Sequence, residues 1–160
     1  MLAAMAFVIG MSSCSSSSND DTPETPLAAQ VAGSYSGKEV VMVNNEESSN
    51  ETKTYEFTRA NDVSIDIVIP EIGMGMMSIP AVPVKGILLT NSGNTITGKL
   101  AVEPSEPYTV TVKNGKGEEK ECTVKNLVVK FSDKTVAATL SLKYGNMPFW
   151  LDYQYTGTKK

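Results

Sequence analysis

The feature that most constrains this chain is a regular alternation of apolar and polar residues from Val31 to its end. Residues i and i+2 of a strand point to the same face of a sheet, so the pattern predicts strands with one face on a core and the other in water. Turn residues interrupt the alternation at intervals of roughly 8–12 positions, as in all-β domains. The predicted inward sets are Val63, Ile65, Ile67 and Ile69; Ile96, Gly98, Leu100 and Val102; Tyr108, Val110 and Val112; Val136, Ala138, Leu140 and Leu142; and Phe149, Leu151, Tyr153 and Tyr155.

The segments between these strands are short and polar. Residues 91–94, 114–115 and 145–146 have the Asn and Gly content of hairpin turns, residues 59–62 form a tight connection, and residues 44–50 read as a polar loop. Short connections favour an antiparallel up-and-down meander, which removes its open edges by closing on itself. We therefore predict an all-β barrel of about eight strands, with a β-sandwich as the alternative.

The N-terminus carries a different signal. Residues 2–10 read LAAMAFVIG, an uncharged apolar run far shorter than the roughly 20 residues needed to cross a bilayer. The run is followed by Met11-Ser12-Ser13-Cys14, which resembles the lipobox of bacterial lipoproteins. The resemblance implies that Cys14 takes a diacylglycerol on its thiol and becomes the first residue after cleavage. Several acyl chains on one residue make a stable membrane anchor.

Three segments follow from this reading. We predict a lipoprotein signal peptide at 1–13, a lipidated Cys14 with a flexible tether at 14–30, and a folded domain at 31–160. The tether is rich in Ser, Pro and acidic residues, and Asn19-Asp20-Asp21 resembles the acidic export signal of Bacteroidetes surface lipoproteins. The expected location is the outer membrane, on the cell surface or in the periplasmic leaflet.

The folded segment resembles a known family, the calycin-like β-barrel lipoproteins of Bacteroidetes. The resemblance rests on VAGSYSG at 31–37, IPEIGMGM at 69–76 with VKGI at 84–87, and the closing stretch from MPFW at 147–150 to YTGT at 155–158. Gly33-x-Tyr35 is also similar to the Gly-x-Trp motif of lipocalins, with Tyr in place of Trp. The family implies an eight-stranded calycin-like barrel and a lipid anchor, and it implies no particular ligand.

The composition restricts the chemistry. The chain contains no His, which excludes Ser-His-Asp and Cys-His nucleophile pairs and His-containing zinc sites. Candidate carboxylates such as Asp66, Glu71, Glu103 and Glu106 fall on polar faces or in loops, and Cys122 reads as a small packed residue. We therefore predict no enzyme activity, no metal and no cofactor. The net charge of −4, much of it in the tether, argues against a nucleic-acid partner.

Two features remain as candidates for ligand binding. Met74, Met76 and Met77 lie between Pro70 and Pro80, and Met side chains adapt readily to apolar ligands. Such a loop either covers a barrel mouth or plugs it as part of the core. The aromatic candidates are Tyr35, Phe149 and Trp150. Alternation places Trp150 on the wet face, where it either contacts a partner or sugar or covers a seam beneath a loop.

Two functions are consistent with these features. The first is a non-catalytic, lipid-anchored envelope protein that binds a small apolar or amphipathic ligand at the barrel mouth. The second is a structural or protein-interaction module of the outer membrane whose barrel is filled by its own side chains. The partners expected are the membrane, through Cys14, and either a small apolar ligand or an envelope protein.

Overall fold

The computed structural model describes residues 24–74, 76–101 and 106–160. The predicted signal peptide, Cys14, the acidic motif at 19–21, Val102 and Glu103 lie outside the described residues. The elements are α1 (Leu27–Val31), β1 (Gly33–Val43), β2 (Glu46–Asn61), β3 (Ser64–Ile69), β4 (Ile72–Met74), β5 (Met77–Ile79), β6 (Val82–Ser92), β7 (Thr95–Leu100), β8 (Tyr108–Lys113), β9 (Glu119–Ser132), β10 (Thr135–Tyr144) and β11 (Leu151–Lys159).

Eight of these strands close into an antiparallel barrel, which confirms the predicted fold class. Its wall runs β1-β2-β3-β6-β7-β9-β10-β11 and returns to β1. The long strand β9 pairs with β8 through its first half and with β7 through its second half. Strands β7 and β8 thus continue each other along one side of the wall. Strands β4 and β5 form a separate small hairpin.

Strand direction divides the connections between two ends of the barrel. The helix end holds α1, the start of β1 and the turns that join β2 to β3, β6 to β7 and β9 to β10. The hairpin end holds the turn from β1 to β2, the β4–β5 hairpin, the turn from β8 to β9 and the connection from β10 to β11.

Aromatic side chains fill much of the barrel interior. Tyr35, Phe57 and Phe131 make edge and tilted contacts with ring centroids 5.1–5.7 Å apart. Tyr55 stacks on Tyr155 with centroids 3.9 Å apart. These rings belong to a continuous core with the inward Ile, Leu and Val residues of the wall. Aromatic pairs of this kind add to the stability gained from area burial alone.

Helix α1 closes the helix end. Its Ala28 and Val31 are buried, and the Tyr35 hydroxyl donates a hydrogen bond of 3.0 Å to the carbonyl oxygen of Val31. The predicted boundary between tether and folded domain lies at residues 30 and 31, inside this helix. Five residues are too few to show a helical apolar stripe in the sequence, so the sequence does not predict this helix. Packing against the barrel stabilises it.

Three local predictions were wrong. Residues 59–61, predicted as part of a tight connection, continue β2, and the turn to β3 falls at residues 62 and 63. Residues 46–50 are not a loop but the start of β2, because Asn44 and Asn45 reverse the chain alone with φ of 53° and 69°. Val63 lies in the turn between β2 and β3 with 51% of its surface exposed, although alternation placed it inward with Ile65. A strand's parity predicts side-chain direction only while the chain stays in the strand.

Candidate functional site

The barrel interior contains a buried acid that the sequence analysis did not identify. Glu39 lies on β1 with the same parity as Tyr35 and Val41, and only 1% of its surface is exposed. Its Oε2 accepts a hydrogen bond from the Tyr55 hydroxyl. Its Oε1 has no hydrogen-bond partner among the described residues. An unpartnered buried carboxylate oxygen is costly, because it has lost its water without replacement.

A second unpartnered polar atom belongs to Tyr153. This residue is 2% exposed, and its hydroxyl has no partner among the described residues. Glu39 pairs with Tyr155 across β1 and β11, and Val41 pairs with Tyr153, so Glu39 and Tyr153 are diagonal neighbours on the inner face. The two unsatisfied groups therefore belong to the same part of the interior.

The environment shifts the acid–base properties of this cluster. Burial raises the pKa of Glu39, while the hydrogen bond from Tyr55 and the charge of Lys53 oppose that rise. Burial, and then the nearby charge of Glu39, raise the pKa values of Tyr55 and Tyr153, so both phenols keep their protons. Burial raises the pKa of Tyr155 to about 12. The cluster thus offers one carboxylate acceptor and one free phenol.

The wall beside this cluster is incomplete. Strand β2 pairs with β3 only from Glu56 onward, so its first ten residues, 46–55, pair with β1 alone. Lys53 lies in this part of β2, which pairs with β1 but not with β3. Its Nζ donates a 2.9 Å hydrogen bond to the carbonyl oxygen of Glu71, just before β4. The same Nζ lies 2.8 Å from the Glu51 carboxylate. Lys53 therefore connects the open edge of β2 to the β4–β5 hairpin.

The β4–β5 hairpin carries the predicted Met residues. Ile72 and Ile79 pair across the hairpin and are buried in the core. Met77 is half-buried against that core, Met76 is fully exposed, and Met74 ends β4. The hairpin thus combines core side chains with an exposed tip. Whether these Met residues contact a ligand stays a prediction.

The other predicted contacts fall at both ends of the barrel. Phe149 is half-buried against the core at the hairpin end. Trp150 is half-buried just before β11, with the Nζ atoms of Lys125 and Lys143 at 3.9 and 5.6 Å from its ring centroid. Tyr35 lies at the helix end, beneath α1. The structure brings the Met residues, Phe149 and Trp150 to the hairpin end and separates Tyr35 from them.

The sequence did contain a signal for Glu39. Counting by twos from Tyr35 gives Gly37, Glu39 and Val41, so an acid occupies an inward position between apolar neighbours. The candidate carboxylates named from the sequence lie in loops and on polar faces, and Glu39 is not among them. A charged residue at an inward strand position is a stronger indicator of a site than a charged residue in a loop.

Two further observations concern chemistry. Cys122 is fully buried, and burial raises its pKa to about 12, so it stays a protonated thiol. Within the described ranges, no group of three or more Cys, Asp or Glu side chains is arranged to hold a metal ion.

Helix α1, with five residues, is much too short to cross a membrane, and no other helix of the described residues could cross one.

A surface cleft of about 530 Å³ lies at the helix end. Gln30 and Val31 of α1 line it, together with Asn91 and Asp133 of neighbouring turns. Its lining includes no unpartnered buried polar atom. The Glu39–Tyr153 cluster is therefore the better candidate for a functional site, although it is closed.

The fold and this interior define a small closed β-barrel with a buried polar cluster and, at one end, a separate hairpin formed by Ile72–Met74 and Met77–Ile79. No protein-family model and no curated protein matches the sequence. A crystal structure from Bacteroides fragilis, described as a "putative outer membrane protein", is similar over 86% of this chain, with a TM-score of 0.64 and 15% identity. The chain spans 54% of that protein's length. At this identity the similarity shows the fold alone.

Proposed function

We propose that this protein is a non-catalytic, lipid-anchored lipoprotein of the bacterial outer membrane. Its barrel, of the calycin-like Bacteroidetes type, binds a small apolar or amphipathic ligand at the hairpin end. The lipobox-like Met11-Ser12-Ser13-Cys14 supports the anchor. The similarity in fold to a Bacteroides protein described as an outer membrane protein is compatible with this location.

One observation carries the ligand-binding part of the proposal. The unpartnered buried atoms, Glu39 Oε1 and the Tyr153 hydroxyl, belong to diagonal neighbours on the inner face, and Lys53, whose charge acts on Glu39, is hydrogen-bonded to Glu71 just before the β4–β5 hairpin. Buried polar groups in native proteins are nearly always hydrogen-bonded, so groups without a partner point to a molecule that supplies one. The Met residues of the hairpin offer an adaptable apolar surface beside them.

Ligand binding is tested by NMR on the mature protein labelled with ¹³C-methyl methionine. Medium-chain amphiphiles with a C12 chain, at concentrations below micelle formation, should shift the methyl signals of Met76 and Met77. Met42 is the internal control, because its side chain lies on the opposite face of β1 from Glu39 and Val41. Unchanged hairpin signals with every amphiphile would refute ligand binding at this end.

The anchor is tested by metabolic labelling with an alkyne fatty acid in cells that process lipoproteins. We expect the wild-type chain to be labelled and Cys14→Ala to be unlabelled. Cys122→Ala is the matched control, because Cys122 is buried inside the barrel and should not affect labelling. Equal labelling of wild type and Cys14→Ala would contradict the proposed anchor.

The second candidate function is a structural or protein-interaction module. The stacked and edge-packed rings that fill much of the interior favour it, because they leave less room for a ligand. In that case an interacting protein would protect a surface such as the one around Trp150 from solvent. The test compares amide hydrogen exchange of the protein in its own membrane fraction with that of the purified protein. Slower exchange around Trp150 in the membrane fraction would favour the interaction module.

A further inference from the structure

We infer that the polar cluster at Glu39 and Tyr153 is a binding site for the ammonium head group of an alkylamine-type amphiphile, reached beside Lys53 when the β4–β5 hairpin moves. The inference rests on the proposed function and specifies its ligand. It starts from the hydrogen-bonding inventory of the cluster. A primary ammonium has three N–H donors and no acceptor. Glu39 Oε1 and the Tyr153 oxygen are two buried acceptors that have no partner among the described residues and could receive its donors.

Charge favours a cation over an anion at this place. The charges that act on Glu39 are those of Glu51, which repels it, and of Lys53, whose Nζ pairs with the Glu51 carboxylate at 2.8 Å. A buried carboxylate with only one donor keeps much of its desolvation cost, and a paired cation offsets that cost. An anionic head group would instead place a like charge beside the Glu39 carboxylate, whose Oε1 has no hydrogen-bond donor among the described residues.

The contacts of Lys53 indicate the route. The side-chain ammonium of Lys53 is the same chemical group as the head group of the proposed ligand. It lies between the open edge of β2 and the hairpin. Its bonds go to Glu51 and to a backbone carbonyl, and none goes to Glu39. The hairpin can release its bond from Lys53 to Glu71 and move without breaking any strand pair of the barrel wall, because β4 and β5 pair with each other and with no other described strand.

The apolar part of the ligand follows from the hairpin itself. Ile72 and Ile79 contribute buried side chains to the core from a two-stranded element. When the hairpin moves outward, these side chains leave apolar space in the core to which Tyr55 and Tyr153 also belong. An alkyl chain restores the burial that the two side chains lose, because burial of apolar surface stabilises the bound state in proportion to the area removed from water. A head group without a chain would not offset that loss.

The test compares three probes with the same C12 chain: dodecylamine, dodecyltrimethylammonium and dodecanoate. Binding to the mature protein is measured from the Met76 and Met77 methyl signals. We expect dodecylamine to bind at least about tenfold more tightly than dodecanoate, since hydrogen bonds to charged groups contribute about 1.5–3 kcal/mol. Dodecyltrimethylammonium, which has the charge but no N–H donor, should fall between them.

Glu39→Gln should remove the preference for dodecylamine while keeping an acceptor for the Tyr55 hydroxyl. Glu47→Gln is the matched control, because Glu47 is exposed on β2 and should leave the preference unchanged. If Glu39→Gln does not fold, Tyr153→Phe is the second variant, and it should lower the preference at least about threefold.

The outcomes separate the inference from the proposed function. If no probe shifts the hairpin methyl signals, the ligand-binding function fails and the inference fails with it. If the probes bind with equal affinity, or if Glu39→Gln keeps the preference, the inference is overturned and the proposed ligand-binding function stands.

Discussion

The buried pair of Glu39 and Tyr55 gives the sharpest prediction about stability. Tyr55→Phe removes only the hydroxyl that donates to Glu39, since a Phe ring still stacks on Tyr155 at the observed 3.9 Å. The carboxylate then loses its only donor among the described residues. Hydrogen bonds to charged groups contribute about 1.5–3 kcal/mol, so we expect the free energy of unfolding to fall by about 2–3 kcal/mol.

The double variant Glu39→Leu/Tyr55→Phe supplies the control. It replaces both partners with apolar groups of similar volume, a change that is often neutral or stabilising for buried pairs. We therefore expect it to be at least about 2 kcal/mol more stable than Tyr55→Phe alone. The single variant Glu39→Leu should lose stability to a smaller extent, because it leaves only a neutral hydroxyl without a partner.

Urea unfolding measures all four proteins. Circular dichroism follows the barrel, and the fluorescence of Trp150, the chain's single Trp, follows the hairpin end. Coincident transitions by the two probes establish two-state behaviour, which the free energies require. The reasoning is refuted if Tyr55→Phe costs less than about 0.5 kcal/mol, or if the two substitutions are additive.

Three further predictions follow from the same interior. Because burial raises the pKa of Glu39 above its ordinary 4.5, the unfolded chain loses this proton first as the pH rises. Stability should therefore decline from about pH 4.5 upward until the folded-state pKa is passed, and Glu39→Gln should flatten this part of the urea-midpoint profile. Tyr153→Phe removes a hydroxyl without a partner and should leave the melting temperature unchanged or raise it; a loss above about 1 kcal/mol would indicate a hidden partner such as a buried water. Gly37→Ala should cost about 3 kcal/mol or more in urea, because a Cβ there would lie 1.9 Å from the Thr156 carbonyl oxygen, whereas Gly73→Ala, with nothing within 4 Å, should change stability by less than about 0.5 kcal/mol.

The sequence was sufficient for the barrel because the alternation is strong where strands pair on both sides. The inward positions of β3, β10 and β11 are buried as predicted, with Val63 as the exception in a turn. Helix α1 and the β4–β5 hairpin were not predicted as elements. The helix has five residues and each hairpin strand has three. Whether such short elements form depends more on packing against the barrel than on local propensity.

The candidate site was harder to predict for a different reason. Alternation identifies inward positions, and an acid at one of them, Glu39, conflicts with the rule that inward residues are apolar. The conflict itself was the signal, but its meaning depends on partners from distant strands. Tyr55 lies sixteen positions away, and Tyr153 comes from the last strand. These residues come together because the barrel closes. A single sequence predicts that a barrel forms, but it does not predict which residues meet inside it.

The position of α1 has a consequence for the direction from which molecules reach the barrel. The chain arrives at the helix end, and β1 then runs eleven residues toward the hairpin end, roughly 25–30 Å along a tilted barrel wall. If Cys14 carries a lipid as proposed, the tether joins the barrel at the end opposite to the β4–β5 hairpin. Under the same proposal, an amphiphile that enters beside the hairpin would reach the barrel at the end farther from the attachment point of the tether, as a dissolved monomer or from a carrier.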